Sequence, residues 1–86
     1  KMIEETRKIM HRNDLKITAT TVRVPVYHGH SESINVEFER NFDLNEIREI
    51  YKNSPGIILM DDPSKLVYPM PIQAEGKDEV FIGRIR

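Results

Sequence analysis

Two runs of alternating side chains, separated by a short turn, constrain this chain more than any other feature. Lys16 to Tyr27 is rich in β-branched residues. Written as a strand, it puts Val22, Val24 and Val26 on one face and Ile17, Ala19, Thr21, Arg23 and Pro25 on the other. Glu32 to Arg40 alternates too, with Ile34, Val36 and Phe38 opposite Ser33, Asn35, Glu37 and Glu39. The intervening His28-Gly29-His30-Ser31 reads as a turn, and the pattern predicts a hairpin with one apolar face. Pro25 has no backbone donor, so it marks an edge, a bulge or the end of its strand.

Helical signals flank this pair. Met2, Ile3, Thr6, Ile9 and Met10 recur on one face of a helix from Lys1 to about Arg12, with Asn13-Asp14 as its stop. A second helix is predicted after Asp43, the N-cap. Glu46 stands where it completes a capping box, and Phe42 and Ile47 are placed as a hydrophobic staple. Leu44, Ile47, Ile50 and Tyr51 form its apolar stripe, and Ser54-Pro55-Gly56 ends it. Gly56 to Met60 reads as a short strand, Asp61 to Glu79 as a long loop, and Val80 to Arg86 as a last strand. The expected fold is α+β, a mainly antiparallel sheet with helices on one face, in a single domain over residues 1–86.

With 86 residues the chain has room for one small domain, a size at which burial is only just sufficient for stability. Thirteen basic and fourteen acidic residues are interleaved and give a net charge of −1, which argues against a nucleic-acid partner. No apolar run approaches the length needed to cross a membrane, and the charged N-terminus lacks the apolar core of a signal peptide. The absence of cysteine rules out a disulfide, a thiolate metal site and a cysteine nucleophile within the chain. The chain starts at Lys1 rather than methionine and reads as a piece of a longer polypeptide.

Arg23 and His30 carry the first chemical signal. If the two strands pair, both reach the same end of the hairpin. An arginine fork binds carboxylate or phosphate, and a histidine suits proton transfer near neutrality. A structural ion pair plus a turn histidine fits the same spacing. His28 and His30, with Glu32 nearby, have the spacing of a metal pair, but no second cluster supplies further ligands and no metal is assigned. Gly29, Gly56, Gly76 and Gly83 stand alone, so no phosphate-cradling glycine loop is present. Ser31 and Ser33 lack the context of a nucleophile elbow and read as hydrogen-bonding residues of the turn and strand edge.

The run ATTVRVPVYHGHSESINVEFE, from Ala19 to Glu39, resembles a signature of bacterial aspartate-semialdehyde dehydrogenases, A-T-C-V-R-[VI]-P-V followed by H-S-E. KMIEETRKIM resembles that family's K-M-x-x-E-T-x-K-I helix. Asp61-Asp62-Pro63, Tyr68-Pro69 and the GKDEVFIGRIR ending match in order, so the resemblance covers essentially the whole chain. It implies a fold like the C-terminal domain of glyceraldehyde-3-phosphate dehydrogenase-like enzymes. It also implies reversible, phosphate- and NADP-dependent oxidation of aspartate 4-semialdehyde to 4-aspartyl phosphate. That reaction leads to lysine, threonine, methionine and diaminopimelate in the cytoplasm. The resemblance gives His30 the acid/base role, Arg23 the substrate carboxylate, and Lys1 a part in binding substrate or phosphate. Nothing carries over to His28. A homodimer or larger assembly is implied.

Thr21 stands where the family commonly has a cysteine that is not the nucleophile. Threonine is close to isosteric and favours strands, so little chemical consequence is expected. The coenzyme-binding domain, the nucleophilic cysteine and the family's C-terminal end are absent, and the isolated chain is expected to be inactive. Two alternatives stand beside this reading. One is a related enzyme such as N-acetyl-glutamyl-phosphate reductase, against which the Arg23–His30 spacing and the H-S-E run argue. The other is a stand-alone small-molecule-binding or assembly module, because fold does not fix function.

Overall fold

A computed structural model describes all residues from Lys1 to Arg86. Its elements are helix α1 (Met2–Met10), helix α2 (Leu44–Lys52), strand β1 (Ile57–Leu59), a 3-10 turn (Pro63–Lys65), a short helix α3 (Pro71–Ala74) and strand β2 (Val80–Ile82). The architecture is α+β, but the sheet has two strands, and β1 pairs with β2 in parallel, Ile57 opposite Val80 and Leu59 opposite Ile82. The expected mainly antiparallel sheet is not what the chain forms.

The second half is built from strong local signals. Asp43 caps α2 as its spacing predicts, its carboxylate accepting from the Asn45 amide at 2.9 Å. Phe42 meets Phe38 edge to face, ring centres 5.2 Å apart. The stripe of Leu44, Ile47 and Tyr51 is half-buried, and α2 lies against β1. Gly56 turns the chain from α2 into β1 with φ +76°, a conformation that costs glycine little. Parallel strands require a crossover, and Met60 to Glu79 provides it. The predicted loop therefore contains the 3-10 turn, capped by Asp62 through Ser64, and α3, which starts at a proline.

One polar cluster joins these pieces. The Arg48 Nε of α2 donates to Asp61 Oδ2 at 3.0 Å, and its Nη2 donates to the Ile85 carbonyl at 3.0 Å. The other carboxylate oxygen of Asp61 accepts from the Arg84 amide at 2.9 Å. The Asp61 side chain is 2% exposed and that of Arg48 32%. Beside this cluster the strands come close together. A Cβ on Gly83 would run into the Met60 carbonyl oxygen and stand 2.5 Å from Pro69 Cδ.

The first half is different. Helix α1 ends at His11 in the left-handed region, slightly before the predicted stop. Arg7 then donates twice to the Leu15 carbonyl, at 3.2 and 3.0 Å, folding the chain back. Arg12 donates to both oxygens of Asp14 at 2.7 and 2.6 Å. That contact holds the Asp14 carboxyl below its ordinary range, its own backbone adding to the effect and slight desolvation opposing it. The fully exposed pair is therefore present above the usual carboxylate range and is lost as pH falls through the lowered value.

From Lys16 to Phe42 no strand forms, and the predicted hairpin is absent. The Val22, Val24 and Val26 face and the Ile34, Val36 and Phe38 face are both open to water. The physical reason is the missing cover. A two-stranded hairpin is marginal in water until a third strand or a helix buries its apolar face, and α1 and α2 are not packed there. The radius of gyration records the result. It is 15.6 Å, against about 12 Å for a compact domain of this length. The accessible surface is 8604 Å², against roughly 5,300 Å² for a folded monomer of this mass.

Two outcomes are expected. In hydrogen exchange, the amides of Met60 and Val80, which bond to Ile82 and Gly56 across the strands at 2.8 and 2.9 Å, are protected in the 86-residue chain. Those from Lys16 to Phe42, where Val26 to Val24 is the one backbone bond, exchange almost freely; comparable protection in both regions would contradict this fold. Second, Arg48→Ala strands a desolvated carboxylate and costs about 3 kcal/mol in the intact polypeptide. Asp61→Ala leaves Arg48 its carbonyl partner and its access to water and costs less, an order that urea titration checks.

Candidate functional site

The residues singled out by sequence lie in the first half of the chain, away from the β1–β2 pair. Lys1 is the N-cap of α1; its carbonyl accepts from the Glu5 amide at 2.9 Å and its side chain is exposed. Arg23 and His30 lie in the irregular stretch, exposed, and neither side chain makes a hydrogen bond or ion pair. Pairing of two strands was the premise for bringing Arg23 and His30 to one end of a hairpin, and without the hairpin that geometry is not formed. The turn itself is present in part, since Gly29 has φ +92° between the two histidines.

His28, the residue to which no role was assigned, is the one that makes a contact. Its Nε2 lies 3.5 Å from Glu75 Oε1, just beyond α3. It thus faces a carboxylate at the other end of the chain rather than the neighbouring His30 and Glu32, and no group of three or more metal-binding side chains is assembled.

A concavity lies elsewhere. A cleft of about 440 Å³ opens beside the 3-10 turn and the end of β2, walled by Pro63, Leu66, Val67 and Tyr68 and edged by Arg84 and Arg86. The Arg84 guanidinium stands 5.3 Å from the Tyr68 ring centre, a cation–π distance. Arg84 has φ +57°, and its amide points at Asp61. Sequence reading passed over this cluster. Two signals were available: Arg48 stands four residues after Leu44, on the flank of an apolar stripe, and Asp61 follows an apolar strand directly. A charge at such a position is retained when a partner meets it.

Residues 1–86 match the family model described as semialdehyde dehydrogenase, dimerisation domain. The chain is 58% identical to an aspartate-semialdehyde dehydrogenase of Aquifex aeolicus, 52% identical to one of Bacillus subtilis and 52% identical to one of Helicobacter pylori strain J99. Each match takes in 100% of this chain and 25% of the relative, so the chain spans about a quarter of the length of the curated relatives it matches. No solved structure matches it.

Proposed function

We propose a function for this chain from one premise: it belongs to the semialdehyde dehydrogenase dimerisation-domain family. The chain is the dimerisation and substrate-binding part of an aspartate-semialdehyde dehydrogenase, an enzyme that interconverts aspartate 4-semialdehyde and 4-aspartyl phosphate with phosphate and NADP. The observation that carries this reading is the match of all 86 residues, including the Arg23–His30 spacing inside the run from Ala19 to Glu39.

Three residues act in this proposal. His30 takes the proton from the attacking thiol and returns it later, work for which an imidazole is suited near neutral pH. Arg23 holds the substrate carboxylate by a two-pronged hydrogen bond, which a guanidinium makes and an ammonium does not. Lys1 places a cation near the substrate or phosphate. The chain has no cysteine, so the nucleophile belongs to another part of the polypeptide. NADP does not fit the residues present. The four glycines stand apart in sequence, and the residues leaving β1, Met60-Asp61-Asp62, include no glycine to let backbone approach a phosphate. No step through the nucleotide is assigned to this chain.

The open apolar faces belong to the same proposal. Val22, Val24, Val26, Ile34, Val36 and Phe38 are all exposed, and apolar faces left open in this way call for a covering surface. The rest of the polypeptide and a second copy cover them in a homodimer or larger assembly.

In the parent enzyme His30→Ala lowers kcat by about 100-fold or more with the fold intact, whereas Arg23→Lys acts chiefly on KM for the semialdehyde. Wild-type kcat in the His30 variant would sink the assignment. The 86-residue chain alone gives no NADPH from semialdehyde and phosphate above a no-protein control. Sedimentation of the parent shows a dimer or larger species, and a concentration-independent monomer counts against the assembly role.

A further inference from the structure

We propose that Glu75 is a positioning residue: by engaging His28 it holds the stretch that carries Arg23 and His30 against α3. The proposal rests on the reading of those two residues given above. Its first support is a matter of exclusion. From Lys16 to Phe42 the side chains and backbone make one polar contact with the rest of the chain, the 3.5 Å approach of His28 Nε2 to Glu75 Oε1. Its second support is shape. The contact sits on a small pocket of about 150 Å³, with Pro25 and Tyr27 on one wall and Pro71 and Ile72 on the other.

Both ends of the clasp suit the role. Glu75 follows a helix that is tied down locally, with the Gln73 side-chain oxygen accepting from the Met70 amide at 2.9 Å and the Glu75 amide donating to Pro71 at 3.1 Å. His28 is separated from His30 by Gly29 alone. Two residues of chain span no more than about 7 Å, so anchoring His28 confines His30 to a small volume.

The clasp also has a sign with pH. His28 and Glu75 carry opposite charges when the imidazole is protonated, and in that form attraction adds to the contact. Tyr27 is the other titratable group lining the pocket, and Pro71 and Ile72 opposite it carry no charge.

The test uses the parent enzyme, with kcat/KM for the semialdehyde measured between about pH 6 and about pH 8.5, either side of the histidine range. Glu75→Gln is expected to lower kcat/KM about twofold to fivefold at the acid end and to approach wild type at the alkaline end. His28→Lys, charged throughout, is expected to abolish the difference between the two ends that Glu75 creates. A Glu75→Gln enzyme equal to wild type at both ends overturns the proposal, and so does a loss that is the same at every pH, which marks a purely structural role. Hydrogen exchange separates the anchor from the chemistry. Val22 to His30 should exchange faster in Glu75→Gln than in wild type at the acid end, and equal rates overturn the anchor. Faster exchange in a parent without dehydrogenase activity supports the anchor and removes the assignment of His30.

Discussion

Asp61 is the point on which the ordered half of this molecule converges. A carboxylate drawn almost fully out of water survives only where its lone pairs are taken up and its charge is met. Here Arg48 and the Arg84 amide meet both needs. The arrangement links α2 to the second residue after β1 and to the residues after β2, because the same guanidinium also takes the Ile85 carbonyl. Strand register, the seating of α2 and the close approach at Gly83 therefore depend on one another. Shift any of them and the carboxylate loses a donor.

The sequence was legible wherever a signal is local. Asp43 begins α2 because its side chain caps a helix regardless of what lies beyond. Ile57–Leu59 and Val80–Ile82 pair where the short apolar runs placed strands, although nothing in those runs told parallel from antiparallel. Direction was set by the crossover, whose two short helical pieces begin at Pro63 and Pro71. Each proline was visible, but the turns they start are too short to show a periodic pattern.

The hairpin was not legible, for a different reason. Alternation says which face of Lys16–Tyr27 and Glu32–Arg40 is apolar, but not whether the same chain supplies a layer to cover it. That layer is missing here, and backbone left without partners turns to water instead. The candidate site shares this fate, since Arg23 and His30 were linked through the pairing of those strands. Their residue types and spacing could be read in one dimension, whereas their meeting requires a strand pairing that these residues do not form. His28 carried only the spacing of a metal pair with His30 and no sign of its actual contact, because Glu75 lies far along the sequence beyond α3.

The parallel pairing of β1 and β2 also decides how the chain responds to mechanical load. With parallel strands, tension entering β1 from the amino end and leaving β2 at the carboxyl end pulls along the strands in opposite senses. The bonds from Val80 to Gly56, from Met60 to Ile82 and from Arg84 to Asp61 then share the force side by side instead of opening one after another like a zipper. Upstream, Lys16 to Phe42 has no such bonds and pays out first as slack. The molecule is therefore a compliant leader in series with a small shear lock, whose resistance is set by how many bonds must break together.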